Sequence, residues 1–215
     1  QKELITPSSA DKILFRVAPI IIFVAVFTGF AVIPWAKDFI PANTHTGLFF
    51  IMAIISIDAL GILMAGWGSN NKYSLLGSMR AIAQMVSYEI PVGLSLITVV
   101  MLTQTLNLNE IAIGQGILTN GSIKFFGFWE VNDIGGIFAW NIFQAPHLII
   151  TYLIFFIATL AECNRAPFDI PEAESELVDG FHTEYGVIQF AFIFLAEYAM
   201  MFLVSMLGVV LFLGG

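Results

Sequence analysis

The chain has 215 residues, of which 58% are apolar and 11% are charged, and its formal net charge is −8. Soluble domains carry about 25% charged residues, so this composition excludes an ordinary soluble domain and predicts an integral membrane protein. The acidic balance, with no basic patch in the sequence, excludes nucleic acid as a partner. The single cysteine, Cys163, excludes an internal disulfide and a self-held iron–sulfur cluster, which needs about four protein ligands.

Five apolar stretches approach or exceed the length of about 20 residues that crosses a bilayer. In chain order they are residues 17–34, 48–65, 81–103, 145–161 and 187–213. The longer connection at 104–144 contains Asn-Gly and Gly-Gly pairs, which indicate turns around short interfacial segments. We therefore expect an all-α integral membrane protein that forms a single membrane domain over residues 1–215, with about five transmembrane helices and short amphipathic helices in its loops.

The first apolar stretch is expected to be a transmembrane span, because no small-residue cleavage site of a signal peptide follows it. Since the sequence begins with Gln1, we expect it to be a fragment of a longer chain. Six lysines and arginines lie on one side of the predicted spans and two on the other. This bias places the connection at 162–186 on the cytoplasmic or matrix side.

Three carboxylates, Asp58, Glu89 and Glu197, fall inside the apolar stretches. An ionised carboxylate at the bilayer centre costs roughly 2.5 to 3.5 kcal/mol, so each is expected to hold a proton, share one or face water. These properties favour a proton relay, and the alternative is a protonated acid that only stabilises helix packing. Pro91, two residues after Glu89, predicts a kink or local unwinding of its helix.

The connection between the fourth and fifth spans is strongly acidic. Residues 161–186 read AECNRAPFDIPEAESELVDGFHTEYG, with seven carboxylates and one arginine. Asp169 and Glu172 fit the capping box of a short helix over residues 170–179, and Glu162 and Arg165 have the i, i+3 spacing of an ion pair. A solvated acidic surface is the ordinary explanation of such a run. The functional explanation is a group of carboxylates whose proton affinities depend on one another.

Metal and nucleotide sites have no support in the sequence. The three histidines, His45, His147 and His182, lack the spacing of metal ligands. The sequence contains no glycine-rich phosphate loop, no Ser-His-Asp arrangement and no dinucleotide fingerprint. We therefore predict no metal site in this chain.

Four strings of this sequence resemble signature segments of the respiratory complex I subunit 1 family. Members of this family are also called H subunits of NADH-quinone oxidoreductase. The strings are AECNRAPFDIPEAESELVDGFHTEYG, SMRAIAQMVSYEIP, GILMAGWGSNNKYSLLG and the opening PSSADKILFRVAP. The resemblance implies an all-helical subunit of eight helices, of which this fragment holds the central part. It further implies a proton-pumping NADH:quinone oxidoreductase in which the subunit builds the access path and floor of the quinone cavity and begins the proton relay.

The resemblance also assigns roles to residues by their positions in these motifs. Four carboxylates would form the proton relay: Glu89, Glu162, Glu184 and Glu197. Asp58 is not placed by the resemblance and is a relay candidate only because of its predicted burial. Residues bordering the quinone cavity would be Arg80, Arg165, Asp169, Glu172, Glu174 and Glu176.

The family implies the following surroundings for such a subunit. The chain would bind no cofactor of its own, quinone (ubiquinone, menaquinone or plastoquinone) would be the substrate, and partner subunits would carry FMN and iron–sulfur clusters. Implied partners are the peripheral-arm subunits with the quinone-proximal cluster, small membrane subunits, antiporter-like subunits and membrane lipid. The implied location is an energy-coupling membrane, with the bacterial plasma membrane favoured over the mitochondrial inner and thylakoid membranes.

Three other functions are compatible with the same features. The nearest is the anchor subunit of a homologous membrane-bound hydrogenase, in which the same acids would couple protons without quinone. A stand-alone proton-coupled transporter is a second alternative, although the sequence shows no inverted repeat or paired broken helices. The third is a structural anchor whose acids only bind a partner.

Overall fold

The computed structural model of the chain describes residues 7, 10–36, 39–115, 123–125, 129–131, 139–169 and 180–215. Five apolar helices dominate the described structure, and two short helices lie in the connection between the third and fourth of them. In chain order the helices are α1 Lys12–Gly29, α2 Gly47–Gly68, α3 Lys72–Thr103, α4 Leu108–Gly114, α5 Asn141–Gln144, α6 Pro146–Glu162 and α7 Val187–Phe212. A single 3-10 turn, Gly180–His182, precedes α7.

Four of these helices are long and apolar enough to cross a membrane: α1, α2, α3 and α7. Helix α6 has 17 residues and is apolar but shorter. The expected all-α membrane architecture with about five spans is therefore confirmed. An additional element is a small hairpin in which strand β1 Ile123–Phe125 pairs antiparallel with strand β2 Trp129–Val131.

Polar side chains and a proline mark where several helices begin. Asp11 accepts a hydrogen bond from the Ile13 amide at 3.0 Å at the start of α1, and Asn71 accepts one from the Tyr73 amide at 3.0 Å at the start of α3. Such caps satisfy amides that have no partner within the helix. Helix α6 begins with Pro146, whose missing N–H is not needed at that position.

Two predicted spans differ in extent from the helices that form. The first was expected at 17–34, but α1 begins at Lys12 and ends at Gly29. The apolar residues from Phe30 to Ile33 form a turn instead, in keeping with Gly29 before them and Pro34 after them, both of which disfavour a continuing helix. The third span was expected to begin at residue 81, whereas α3 begins at Lys72, because hydropathy does not register a helix that continues through polar residues.

Of the two outcomes expected at Pro91, local unwinding is wrong, and a kink stays a prediction. Helix α3 is continuous over 32 residues and includes Pro91, and α1 likewise includes Pro19. At 1.5 Å per residue, α3 is about 48 Å long and exceeds the roughly 30 Å hydrocarbon core. Membrane helices tolerate proline because the freed carbonyl can be satisfied by other groups.

The chain divides into two compact units. Unit 1 comprises Gln1–Thr28, Ala53–Glu89 and Leu160–Phe202, and unit 2 comprises Gly29–Met52, Ile90–Thr159 and Leu203–Gly215. That the whole chain forms a single membrane domain stays a prediction.

Unit 1 is organised around a buried aromatic pair. The Phe15 and Tyr185 rings stack with centroids 4.3 Å apart, and the Tyr185 hydroxyl donates to the Ala65 carbonyl at 3.3 Å. The start of α1 and the end of α2 approach so closely that a Cβ at Gly68 would lie 2.9 Å from the Phe15 nitrogen. These contacts hold α1, α2 and the segment before α7 together.

Unit 2 is held by buried amides. Gln115 donates to the Val210 carbonyl at 2.8 Å and accepts from the backbone amides of Asn141 and Gly214, each at 3.1 Å. The Asn141 side chain donates to the Leu211 carbonyl at 2.7 Å. These bonds satisfy carbonyls in the last turn of α7, which lack intrahelical partners.

Candidate functional site

A small cavity in unit 1 is lined by carboxyl groups from three different segments. Its volume is about 30 Å³, which is room for one or two water molecules. Asp58 of α2, Glu162 at the end of α6 and Glu197 of α7 line it, and the apolar lining includes Ile62 and Met85. The fold thus gathers three carboxylates that are far apart in the sequence.

Asp58 and Glu162 are buried without their expected hydrogen-bond partners. Asp58 is 6% exposed and Glu162 is 1% exposed. Oδ1 of Asp58 and both carboxyl oxygens of Glu162 accept no hydrogen bond from any residue that the structure describes. A buried polar group without a partner costs roughly 1 to 3 kcal/mol, so packing alone does not account for these two side chains.

Glu197 is held by an arginine from outside its own helix. The Arg165 Nη2 atom lies 3.6 Å from Oε1 of Glu197. The same guanidinium lies 4.7 Å from the centre of the Tyr198 ring, and its Nε donates to the Met201 sulfur at 3.3 Å. Arg165 therefore lies along one face of α7 and brings a positive charge next to Glu197.

The interpretation of Glu162 and Arg165 as an ion pair is wrong. Helix α6 ends at Glu162, and Asn164 adopts a left-handed backbone conformation with a φ of 48°. The turn removes the helical i, i+3 geometry on which the interpretation depended. Arg165 consequently contacts α7.

Glu89 lies on α3 and is half-buried. Ser56 of α2 donates a short hydrogen bond of 2.5 Å to its Oε1. Glu89 and Asp58 both lie near enough to Glu162 to interact with it electrostatically. Four of the predicted relay candidates, Asp58, Glu89, Glu162 and Glu197, therefore belong to one neighbourhood of unit 1, which we call the carboxylate cluster.

Comparison with known proteins identifies the family of this chain. The sequence profile of a family described as NADH dehydrogenase matches residues 1–215, the whole chain. The chain belongs to the NADH dehydrogenase family. The resemblance found in the motifs is thereby confirmed.

Relatives in this family are named as H subunits of NADH-quinone oxidoreductase. The chain is 55% identical to the second such H subunit of Cytophaga hutchinsonii over 222 residues, 49% identical to the H subunit of Chlorobium luteolum over 215 residues, and 49% identical to that of Bacillus cytotoxicus over 214 residues. Each match covers all of this chain and 61%, 54% and 57% of the respective relative. The chain thus spans a little over half the length of the curated relatives it matches.

Glu184, the remaining relay candidate, lies in another cavity. Its Oε1 accepts a hydrogen bond from the side-chain nitrogen of Asn71 at 2.7 Å, and it lines a cavity of about 390 Å³ together with Lys72 and Ser69. The structure therefore does not bring Glu184 into the cavity that Asp58 lines.

The predicted quinone-cavity residues are only partly described. Arg165 pairs with Glu197 of the carboxylate cluster, whereas Arg80 and Asp169 are exposed. Glu172, Glu174 and Glu176, with the short helix expected over 170–179, lie outside the residues that the structure describes. The roles given to all these residues by the resemblance stay predictions.

The described residues form no metal site. Within the described ranges, no three or more His, Cys, Asp and Glu side chains are arranged to hold a metal ion. Cys163 lines the carboxylate cavity and is buried. Burial raises the pKa of its thiol well above the usual range, and the neighbouring Glu162 carboxyl adds to this effect, so the thiolate form is suppressed.

Two polar residues around the site, Ser56 and Gln84, were not predicted as site residues from the sequence. Ser56 contacts Glu89, and Gln84 of α3 donates three hydrogen bonds to the segment that follows α6. The available signal was a polar residue within or beside an apolar run, but such residues are common and their partners are not visible in the sequence.

Proposed function

We propose that this chain is a membrane subunit of a proton-pumping NADH:quinone oxidoreductase, in which its buried carboxylates pass protons in response to quinone reduction. The observation that carries the proposal is the pair of buried acids, Asp58 and Glu162, that line one cavity, where Oδ1 of Asp58 and both carboxyl oxygens of Glu162 have no hydrogen-bond partner among the described residues. Family membership and the names of the relatives support the reaction class.

The chemistry of the carboxylate cluster suits proton transfer. A carboxyl group without a fixed partner can take up a proton, release it, or bond to water in the cavity. Ser56 orients Glu89, and Arg165 keeps a positive charge beside Glu197. Changes of charge in one member act on the others, because two charges about 4 Å apart interact by roughly 4 kcal/mol at an effective dielectric constant of about 20.

Quinone enters the mechanism as substrate, reaching from the bilayer a cavity whose floor this subunit builds. Arg80, Arg165, Asp169, Glu172, Glu174 and Glu176 border that cavity. Negative charge that develops on the quinone changes the protonation of the acidic connection, and the change continues through Glu184, Glu89 and Glu197. The acidic composition of residues 161–186 supports this order of events.

The remaining parts of the proposal concern the surroundings of the subunit. No cofactor is held by this chain; FMN and iron–sulfur clusters belong to partner subunits, and the cluster nearest the quinone belongs to the peripheral arm. Small membrane subunits, antiporter-like subunits and lipid contact its helices. The subunit lies in the bacterial plasma membrane with the acidic connection on the cytoplasmic side, an orientation supported by the distribution of lysine and arginine.

The first test isolates the native complex through a tag on the full-length chain, identifies its companions and measures quinone-dependent NADH oxidation. Complex I-type companions with quinone reductase activity would support the proposal. A hydrogenase large subunit and no quinone dependence would select the hydrogenase anchor instead.

The second test replaces Glu89 with glutamine in the assembled complex. Glu89→Gln keeps the size of the side chain but removes its exchangeable carboxyl proton, so proton translocation coupled to NADH oxidation should fall, by roughly 100-fold if Glu89 transfers the proton directly. Glu110→Gln is the matched control, because Glu110 is exposed on α4. Normal translocation in an assembled Glu89→Gln complex would refute the relay role.

A further inference from the structure

One glutamine of α3 is bonded to three acceptors in a single neighbouring segment. The Gln84 side-chain nitrogen lies 2.7 Å from the Ala161 carbonyl oxygen, 2.8 Å from the Phe168 carbonyl oxygen and 3.2 Å from Oδ1 of Asn164. An amide NH₂ group has two hydrogens, so these three acceptors share both donors. The bonds hold the two ends and the middle of segment 161–168 against α3.

Segment 161–168 carries Glu162 of the carboxylate cluster and residues that surround the cluster. Glu162, Cys163 and Asn164 line the cavity, and Arg165 pairs with Glu197. The segment leaves the helical path at Asn164, which has a φ of 48°, so its position depends on contacts with other segments. Gln84 provides three of those contacts.

Segment 161–168 makes a further contact with α3, and the segment at 180–182 also contacts this helix. The Tyr88 ring of α3 meets the Phe168 ring edge-on, with centroids 5.4 Å apart. On the other side of the acidic connection, Ser74 donates to the Phe181 carbonyl at 3.3 Å, and a Cβ at Gly77 would lie 2.9 Å from Cα of Gly180. Segments 161–168 and 180–182 are therefore both seated on the helix that carries Glu89.

We propose that Gln84 is a positioning residue for proton transfer, which fixes segment 161–168 on α3 and thereby sets the positions of Glu162 and Arg165 relative to Glu89. The inference rests on the proposed proton-transfer function. Gln84 is not a member of the relay, because an amide neither gains nor loses a proton under these conditions. Gln84 acts by holding the Ala161 and Phe168 carbonyls and the side chain of Asn164.

The groups around Glu162 determine what a displacement would do. Asp58 of α2 and Glu89 of α3 interact with it electrostatically, Glu197 of α7 and Cys163 line the same cavity, and Arg165 lies next to Glu197. Electrostatic interactions vary with distance, so a displaced segment alters the proton affinity of the whole cluster. The pH profile of coupled activity should therefore change when the attachment is removed, which loss of packing at a remote site would not cause.

The test compares Gln84→Met with Gln104→Met in the full-length chain within its native complex. Methionine is close to glutamine in size and shape but has no N–H donors. Gln104 is a matched control because it is exposed at the other end of α3 and its side chain donates only locally, to the Met101 carbonyl at 2.7 Å.

The first readout is the alkylation rate of Cys163 by N-ethylmaleimide, followed by mass spectrometry of its peptide. Cys163 is 6% exposed, and its thiolate is suppressed by burial, so it should react slowly in the unaltered chain. Gln84→Met should raise that rate at least threefold, and Gln104→Met should leave it unchanged.

The second readout is function: protons translocated per NADH oxidised, and the pH profile of that ratio. Gln84→Met should reduce the ratio by at least half and shift the profile, with NADH oxidation by an artificial acceptor unchanged. An assembled Gln84→Met complex with unaltered alkylation, ratio and profile would overturn the inference.

A second variant decides the matter if Gln84→Met does not assemble. Asn164→Gly suits the left-handed backbone and removes one acceptor of Gln84, so it should change both readouts in the same direction but less. No change in either readout would overturn the inference.

The Glu89→Gln and Gln84→Met complexes together separate the inference from the proposed function. Normal proton translocation by the Glu89→Gln complex would show that the proposed function fails. Impaired translocation by the Glu89→Gln complex, with normal readouts for the Gln84→Met complex, would show that only the inference fails.

Discussion

The two units differ in the chemistry of their buried polar side chains. Each has six of them among the described residues. Those of unit 2 have no ionisable group and are Ser95, Asn107, Gln115, Asn141, Thr151 and Thr159. Those of unit 1 include two acids and a histidine and are Asp58, Ser69, Ser74, Ser78, Glu162 and His182.

The buried polar side chains of the two units also differ in whether their polar atoms have hydrogen-bond partners. Gln115 makes four bonds in unit 2, two as donor and two as acceptor, and Asn141 bonds to the end of α7. In unit 1 both oxygens of Glu162 and one of Asp58 accept nothing from the described residues. Satisfied neutral amides stabilise a fold, whereas buried acids without partners cost stability and are suited to exchanging protons.

The largest effect that would test this difference is expected at Glu162. Glu162→Gln removes the exchangeable proton of a side chain that is 1% exposed, and it should reduce coupled proton translocation roughly 100-fold or more while the complex stays assembled. Proton uptake by membrane vesicles during NADH oxidation measures it, with the exposed Glu110→Gln as control. Undiminished translocation would mean that the buried acids of unit 1 are structural, as the amides of unit 2 are.

The next effect is expected at Gln115, and it should be on stability and not on coupling. Gln115→Met leaves the Asn141 and Gly214 amides and the Val210 carbonyl without their partner, which should cost roughly 2 kcal/mol. The midpoint of heat inactivation of the complex should fall, while protons per NADH stay constant. Gln104→Met is again the control, and a changed coupling ratio at full stability would contradict the structural role of these amides.

The smallest effect is expected at Ser56. Ser56→Ala removes the hydroxyl that donates a hydrogen bond to Glu89. Loss of this bond should cost about 1 kcal/mol and lower the rate of coupled proton translocation roughly fivefold. Ser95→Ala is the matched control, because the Ser95 hydroxyl donates to the Val92 carbonyl of its own helix at 2.6 Å. Equal effects of the two substitutions would show that the contact with Glu89 has no special part in transfer.

Much of the fold was predictable because a membrane imposes a simple length requirement. Helices α2, α6 and α7 begin and end within three residues of the predicted spans. The ends of α1 and the start of α3 were misplaced, because their limits depend on turns, caps and polar helical residues that hydropathy does not register.

The candidate site was predictable as a set of residues but not as an arrangement. A carboxylate in an apolar run is visible from its cost in lipid, and this identified Asp58, Glu89 and Glu197. The partner of Arg165 was misjudged, since α6 ends at Glu162 and the following turn directs the arginine to α7. The contacts of Ser56 and Gln84 join segments 33 or more residues apart, which no local spacing rule reaches.

The sequence by itself determined that this chain is an α-helical membrane protein of the NADH dehydrogenase family with acids in its spans, because long apolar runs and specific motifs are local properties. Only the tertiary structure decided which acids meet. Helix α2 is apolar around most of its circumference, so its periodicity does not indicate which way Asp58 points. Packing within unit 1 sets the direction of its side chains and thereby places Asp58, Glu162 and Glu197 around one cavity.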